Sequence, residues 1–303
     1  MAEPLPPANP ADTVIFKVFG TVGLVRDGRL VALHGGRQRT LLATLLINSG
    51  KVVTKEQFFA ELWDGRPVAK ADNALQALVA RLRKLLKSHF GEQFARERLI
   101  TLPTGYVLYT EPHEVDATLF ERLVAAAHGE MAADPVRATD MFDLALRLWD
   151  GPVLEGVTGG PMCHGSVLHL EETRLAAIED KFQASVAAGI ELGVISELKK
   201  MATLYPWRER LAELLMVALY RSGRQADALR EYDTVRRRLV NELGMEPSPK
   251  LKDRMQAILN QDPSLELAYS STLPDPFRAR GVTISEHGAI STDMEQTDRP
   301  VLY

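Results

Sequence analysis

The stretch of sequence that decides the fold runs from Asn73 to Lys87 and reads NALQALVARLRKLLK. Its apolar residues recur at the spacing of one helix face, and they are Leu75, Leu78, Val79, Leu82 and Leu86. The basic residues that fall outside this face are Arg81, Arg83, Lys84 and Lys87. The stretch therefore predicts a helix with one side packed on protein and another side suited to phosphate groups.

Two helical segments precede this helix, and a pair of strands follows it. Thr54 with Gln57 three residues later forms a capping box, which predicts the start of a helix. The expected helices are Arg37–Leu46, a second from Thr54 to the stop at Asp64–Pro67, and a third over Ala71–Phe90. The expected hairpin consists of Leu99–Leu102, the turn Pro103–Gly105 and Tyr106–Tyr109.

Short β-type segments lie upstream of the helices. They are Val14–Phe19, Thr21–Val25 and Arg29–Leu33, with Asp27-Gly28 as a hairpin turn. Residues 1–12 are rich in proline and are expected to form a disordered leader. Residues 13–112 are then expected to fold as a first domain, in which small antiparallel sheets flank three helices.

Beyond Pro112 the sequence predicts helices without strands. They are Asp116–Gly129, Val136–Trp149, Val167–Ala188, Val194–Leu204, Arg208–Ser222, Ala226–Leu243 and Lys250–Asn260. Leu215–Asp233 resembles one tetratricopeptide unit, two apolar helix faces joined at Gly223. We expect an all-α, tetratricopeptide-like domain over residues 113–261. Residues 262–303, rich in Ser, Thr, Pro and Asp, are expected to form a mostly disordered tail. The predicted fold class is mainly α with small β-sheets.

The composition is that of a globular protein. The chain has 303 residues, of which 46% are hydrophobic and 25% charged, which suits about two domains. No apolar run is long enough for a membrane helix, and the start Met1–Pro4 lacks the features of a signal peptide. The single cysteine, Cys163, cannot form an internal disulfide. A cytoplasmic protein without a membrane partner is therefore expected.

The charge is unevenly distributed along the chain. Residues 1–112 hold 15 Lys and Arg against 10 Asp and Glu, a net charge of +5. The remaining residues hold 21 against 30, a net charge of −9. The basic part contains the cationic helix, which is the distribution of a protein that attracts nucleic acid at one end, although domains that bind no nucleic acid also reach +5.

Several motifs together resemble the winged helix-turn-helix of response-regulator output domains. They are Gly36–Leu46, Val52–Thr54, Leu62–Trp63, Asn73–Leu86 and Pro103–Tyr106. The second half resembles the bacterial transcriptional activator domain through Val115–Asp116, Phe120–Glu121, Ala145–Gly151, Ala218–Gln225 and Glu242–Pro247. The succession of these two domains over residues 14–261 is similar to the SARP-type antibiotic regulatory proteins.

This resemblance implies a transcriptional activator of a secondary-metabolite (antibiotic) gene cluster. Such a protein binds direct repeats in promoter double-stranded DNA, as a homodimer at least on DNA, and recruits RNA polymerase holoenzyme with its sigma factor. The resemblance also implies association with the nucleoid, and contact with polymerase by the loop Asp64–Lys70 and the outer surface of the winged helix. The ATPase module of larger members is not expected, because Leu45 stands where a phosphate-binding loop at Gly50-Lys51 would need glycine.

The third helix is expected to lie in the major groove of DNA. The residues it would present are Asn73, Gln76, Ala77, Ala80, Arg81 and Lys84. Arg81 is the strongest candidate for a base contact, because arginine can bond guanine twice, while Gln76 suits adenine and Ala77 a thymine methyl group.

Other residues are expected to contact the DNA backbone or the minor groove. Phosphate contacts are predicted for Arg83, Lys84 and Lys87, and for Arg37 and Arg39 at the start of the first helix. The turn Thr104-Gly105, with Tyr106 behind it, is expected beside the minor groove as the tip of the wing.

Simpler structural roles compete with these interpretations. Arg81 could form an ion pair with Glu61 instead of contacting a base. Trp63 and Trp149 are expected in the core, not as ligand platforms. The run Arg236–Arg238 is expected on a helix surface, where it could also touch DNA or a second protomer.

No motif indicates an enzyme or a bound cofactor. Cys163, His164 and His169 lack a second pair of ligands, so a metal site is not expected there. No nucleophile, zinc-protease or nucleotide-loop motif occurs, so no catalytic residues are predicted. The functional alternative is a protein-interaction adaptor, in which the helical array binds partners and the winged helix does not read DNA.

Overall fold

The computed structural model describes residues 14–31, 33–65 and 70–266. The expected leader 1–12 and nearly all of the expected tail 262–303 lie outside the described residues, as does the centre of the loop Asp64–Lys70.

The first β-sheet is antiparallel and three-stranded. It consists of β1 (Phe16–Lys17), β2 (Gly23–Arg26) and β3 (Arg29–Val31), paired in sequence order. Asp27 and Gly28 turn the chain between β2 and β3 with φ angles of 51° and 71°, the sign that a tight hairpin turn of this hand requires. Strand β1 is shorter than predicted, and Phe19, beyond its end, instead forms an isolated bridge with Val153.

Three helices follow in the predicted order. They are α1 (Gly36–Ile47), α2 (Lys55–Trp63) and α3 (Ala71–Phe90). The predicted capping box is present, because the side chains of Thr54 and Gln57 each accept a hydrogen bond from the other residue's backbone N–H. All five apolar residues of α3 quoted above are buried. The predicted helix is therefore confirmed in its bounds and in its packed face.

A short helix that the sequence pattern does not predict, α4 (Glu92–Arg98), lies between α3 and the hairpin. Gly91, with a φ of 96°, ends α3 and precedes α4. The rings of Phe90 and Phe94 lie 5.0 Å apart and join the two helices. A helix of seven residues is too short to show a hydrophobic period.

The second sheet contains the predicted hairpin. Its strands are β4 (Val53–Thr54), β5 (Leu99–Leu102) and β6 (Gly105–Leu108), in the antiparallel order β4-β6-β5. Val53 pairs with Tyr106 and Thr54 with Gly105. Because α2 begins directly after β4, this pairing fixes the hairpin relative to α2.

The second half is helical, as predicted. It contains α5 (Asp116–Glu130), α6 (Pro135–Leu146), α7 (Pro161–Ala187), α8 (Glu191–Leu204), α9 (Glu209–Arg221), α10 (Gln225–Arg238), a π-helical turn at Leu239–Leu243, α11 (Pro249–Leu259) and a 3-10 turn at Pro263–Leu265. The helix expected at Val167 begins at Pro161, because proline fits the first turn of a helix even where glycines precede it. The predicted tetratricopeptide-like unit corresponds to the packed pair α9 and α10.

The hydrophobic core runs through the expected boundary between the two domains. One cluster of buried side chains extends from Val14 to Ala184, and a second includes Phe182 and reaches Leu265. Helix α7 contributes to both clusters, and the described residues up to Leu265 belong to one compact unit. The division at residues 112 and 113 stays a prediction.

None of the helices in the described part of the chain is long and apolar enough to cross a bilayer.

Candidate nucleic-acid interface

Helix α3 exposes one continuous face to solvent. The exposed residues among the predicted contacts are Asn73, Gln76, Ala77, Ala80, Arg81, Lys84 and Lys87. Within the described ranges, Arg81 and Lys84 form no ion pair with a carboxylate. These two cations are therefore available to an external anion.

The alternative partner of Arg81, Glu61, is engaged elsewhere. The Glu61 residue is only 2% exposed. It accepts hydrogen bonds from the backbone N–H groups of Gly160, Met162 and Cys163 at 2.8, 2.7 and 3.2 Å. These N–H groups belong to the start of α7, where the helix dipole also favours an anion. The ion pair between Arg81 and Glu61 is thus excluded, and Glu61 instead joins α2 to the helical half.

Arg83, a predicted phosphate contact, is half-buried and already has partners within the protein. Its Nη2 atom donates to the carbonyl of Leu99 at 2.9 Å and to Oγ1 of Thr101 at 3.1 Å. The guanidinium therefore ties α3 to strand β5 of the hairpin. Sequence periodicity places Arg83 outside the apolar face but does not show this partner, because the partner lies on another element.

A groove separates the C-terminal half of α3 from α4 and β5, and we call it the α3–α4 groove. It has a volume of about 520 Å³, and its charged lining residues are Arg83, Lys84, Lys87, Arg96 and Glu92. Lys87 forms an ion pair with Glu92. Arg96 is exposed and is a cation that the sequence analysis does not single out. The only local sequence signal for the helix that carries Arg96 is the spacing of Phe90 and Phe94, which are one helical turn apart on either side of Gly91.

The tip of the hairpin exposes Thr104, but the next two residues are buried. A Cβ atom on Gly105 would overlap the carbonyl oxygen of Val53, and the Tyr106 ring packs edge-on against Phe58 with centroids 6.0 Å apart. The predicted DNA contacts of Gly105 and Tyr106 stay predictions, and in the free protein both residues are buried. They hold the hairpin on β4, and Thr104 remains the candidate contact at the tip.

The two arginines at the start of α1 have different surroundings. Arg37 is exposed, with its guanidinium 5.8 Å from the centre of the Trp63 ring. The Nε atom of Arg39 donates to the carbonyl of Gly156 at 3.1 Å, so this side chain points toward the helical half. Arg39 therefore connects the two halves of the chain, and the phosphate contacts of Arg39 and Arg37 stay predictions.

Asp116 forms a third connection between the two halves, after Glu61 and Arg39. It is buried at the start of α5 and accepts hydrogen bonds from the N–H groups of Val18 at 2.8 Å and Phe19 at 3.0 Å. Burial raises the pKa of Asp116 to about 7, against the opposing effect of these hydrogen bonds. The contact fixes the first sheet on α5.

Both tryptophans with predicted core roles are packed as expected. Trp63 is 8% exposed and belongs to the first core cluster. Trp149 stacks on Phe19 with centroids 3.9 Å apart, and Arg174 covers it at 4.6 Å.

The residues considered as metal ligands include Cys163 and His169, and each of these two has a partner within the protein. Cys163 is buried, which raises the pKa of its thiol to about 12, and its Sγ atom lies 3.8 Å from Oγ1 of Thr44. His169 contacts Glu121 at 3.0 Å. No cluster of three potential ligands occurs among the residues with described positions. In the basic run of α10, Arg236 pairs with Glu246 at 3.2 Å.

Two sequence families match consecutive parts of the chain. Residues 31–108 match the family described as transcriptional regulatory protein, C terminal. Residues 115–259 match the bacterial transcriptional activator domain.

The chain is also similar to regulatory proteins of Streptomyces. It is 40% identical over 254 residues to the transcriptional regulator RedD of Streptomyces coelicolor, a match covering 84% of this chain and 73% of RedD. It is 34% identical to the regulatory protein DnrI of Streptomyces peucetius, covering 79% of this chain and 92% of DnrI. The match to the regulatory protein AfsR of Streptomyces griseus, at 37% identity, covers 88% of this chain but 26% of AfsR.

One solved structure has the same fold. Mycobacterium tuberculosis EmbR, determined in complex with a low affinity phosphopeptide, is 32% identical with a TM-score of 0.77. The similarity covers 83% of this chain and 66% of the EmbR chain.

Proposed function

Because the chain belongs to the SARP-type antibiotic regulatory proteins, a family of transcriptional regulators, we propose that it activates transcription by binding promoter DNA through the exposed face of α3. The observation that carries this proposal is the availability of Arg81 and Lys84 on that face. Leucines packed behind them hold the helix in place, and the major groove is wide enough to admit one helix.

The proposed contacts divide between bases and phosphates. Arg81 contacts a guanine, Gln76 an adenine and Ala77 a thymine methyl group, with Asn73 and Ala80 on the same face. Backbone contacts come from Lys84, Lys87 and Arg37, and Thr104 lies beside the minor groove.

A gel-shift titration tests the proposal against the adaptor alternative. We expect the full chain to retard duplex DNA, with an affinity that falls steeply as salt rises, since bound cations release counterions from phosphates. A duplex selected from a random pool should bind more tightly than an unselected one. An adaptor that does not read DNA gives no salt-sensitive retardation.

The first prediction separates base contacts from phosphate contacts. Arg81→Ala is expected to cost about 1–3 kcal/mol on the selected site and to relax preference at one base pair. Lys84→Ala is expected to weaken binding to all duplexes alike. It should also lower the salt slope, which is the steepness with which log affinity falls as log salt concentration rises, by about 1. Fluorescence anisotropy on selected and random duplexes at several salt concentrations measures both effects. The assignment is wrong if both variants lower the affinities for the selected and the random duplex by the same factor.

The second prediction concerns the α3–α4 groove, which we propose follows a DNA phosphate strand. Arg96→Ala should lower the salt slope by about 1, because Arg96 is an exposed cation of this groove. Glu92→Gln should strengthen binding to every sequence, because it releases Lys87 from its ion pair. Arg137→Ala on α6 is the matched control. An unchanged slope in the Arg96 variant would exclude the groove from the interface.

The third prediction follows from the proposed assembly, a homodimer at least on DNA that binds direct repeats. Repeats should lie about one helical turn, roughly 10–11 bp, apart, so that protomers share one face of the duplex. Inserting about half a turn should abolish cooperative binding and activation in a transcription assay with purified RNA polymerase holoenzyme. Full activation after this insertion would refute the geometry.

Four finer elements complete the proposal. The regulated genes form a secondary-metabolite (antibiotic) cluster, and the protein works on the nucleoid in the cytoplasm. The helical half mediates dimerisation and holds the winged helix in register. The loop Asp64–Lys70 and the outer surface of the winged helix contact RNA polymerase and its sigma factor.

Substitution of Asp64 should then reduce activation but not DNA binding, and a parallel loss of both would contradict this role.

A further inference from the structure

A second groove lies in the helical half, between α8 and α10 with α9 beneath them. Its volume is about 680 Å³, within the range of about 300–1,000 Å³ of clefts that enclose ligands. Apolar atoms of Ile195, Ala202 and Leu219 line it, and the hydroxyl groups of Ser196 and Thr203 stand beside them. We call it the α8–α10 groove.

The lining of this groove is basic although the surrounding half of the chain is acidic. Its cations are Lys199, Arg224, Arg230 and Arg238, and its acids are Asp227 and Glu231. The local net charge is therefore +2, whereas the chain after residue 112 carries −9. The positive charge is concentrated in the groove, so it is not a general property of the helical half.

Only part of this positive charge is neutralised by neighbouring carboxylates. Asp227 accepts a hydrogen bond from Arg224 at 2.8 Å and forms an ion pair with Arg230. The hydrogen bond from Arg224 lowers the pKa of Asp227, so this carboxylate stays charged. Lys199 on α8 and Arg238 on α10 form no ion pair within the described part of the chain. Two unneutralised cations therefore stand on opposite walls.

We propose that the α8–α10 groove binds an acidic peptide segment of a partner protein. Lys199 and Arg238 pair with carboxylates of the segment, and its apolar side chains lie over Ile195, Ala202 and Leu219. This partner site is separate from the DNA contacts of α3 and does not depend on them.

The lining favours a peptide over a nucleic acid. The carboxylates of Asp227 and Glu231 face the same space and would repel a continuous phosphate backbone, whereas a peptide can place its own charges to avoid them. The apolar floor suits side chains such as leucine but offers no partner to phosphate oxygens. A cleft of this volume encloses a short segment, not a duplex.

Fluorescence anisotropy with the full chain tests the proposal. The probe is a labelled eight-residue peptide of alternating glutamate and leucine, and the control peptide has glutamine in place of glutamate. We expect saturable binding of the acidic peptide only. The double variant Lys199→Gln with Arg238→Gln should weaken it by about tenfold, since two ion pairs are lost. The matched control, Lys200→Gln with Arg237→Gln, removes two adjacent exposed cations outside the groove and should change it by less than about twofold.

Three results would overturn the proposal. The first is that the acidic peptide does not bind the unsubstituted protein, or that it binds the two double variants with equal affinity. The second is loss of DNA binding in the folded groove variant, which would make the groove a nucleic-acid surface. The third is that the groove variant loses a dimer seen for the unsubstituted protein in sedimentation experiments, while free peptide does not compete with dimer formation. This result would assign the groove to a second copy of the chain. Arg81→Ala should leave peptide binding unchanged, so failure of DNA reading is distinguishable from failure of this site.

Discussion

Replacing Gly105 by alanine is expected to destabilise the protein by about 3 kcal/mol and to weaken DNA binding. The added Cβ atom would overlap the carbonyl oxygen of Val53 and lie 2.9 Å from Cα of Thr54. Both neighbours are backbone atoms of β4, so they cannot rotate away as a side chain could. The strand pair must separate, and the hairpin tip at Thr104 moves with it.

Urea unfolding measures this effect. The variant should be half unfolded at a lower urea concentration, while the dependence of its unfolding free energy on urea concentration should not change. Gly165→Ala is the matched control, because Gly165 lies within α7 and nothing stands within 4 Å of its added Cβ. The control should be neutral or more stable by up to about 1 kcal/mol, since alanine favours a helix over glycine. Equal midpoints for the Gly105 variant and the unsubstituted protein would contradict the steric argument.

Local sequence signals predict the elements of this fold but not their partners. The bounds of α3 and the capping box at Thr54 depend on residues a few positions apart, and the structure confirms both. Helix α4 is missed because seven residues show no period.

The candidate interface shows the same limit. Outward residues of α3, such as Arg81 and Lys84, follow from helical spacing. Arg83 also follows as outward, but its partners Leu99 and Thr101 lie on a strand whose packing sequence spacing does not determine. Arg39 is likewise directed by a distant contact, the carbonyl of Gly156.

Gly105 illustrates both cases at once. The turn Thr104-Gly105 is readable from sequence, because glycine is common in tight turns. The close approach of Gly105 to Val53 cannot be predicted in this way, because Val53 lies in β4, which precedes α2 and α3 in the chain.

Glu61→Ala is expected to destabilise the protein by about 3 kcal/mol, because it leaves one buried and two half-buried backbone N–H donors without their acceptor. The carboxylate is buried and accepts from Gly160, Met162 and Cys163. A Cβ on Gly160 would lie 2.7 Å from the carbonyl oxygen of Ala60, so the start of α7 approaches α2 too closely for several waters to replace the carboxylate.

Hydrogen exchange locates the effect within the joint between α2 and α7. The amides of Gly160, Met162 and Cys163 should exchange faster in the Glu61 variant, while those of buried residues in α9 should change only through global stability. Glu56→Ala, an exposed acid in the first turn of α2, is the matched control and should cost no more than about 1 kcal/mol. Because α2 supports α3 and α7 enters the core of the helical half, loss of this joint should also weaken cooperative binding to paired sites more than binding to a single site. A cost below about 1 kcal/mol, with unchanged exchange at these three amides, would show that the carboxylate does not hold the two halves together.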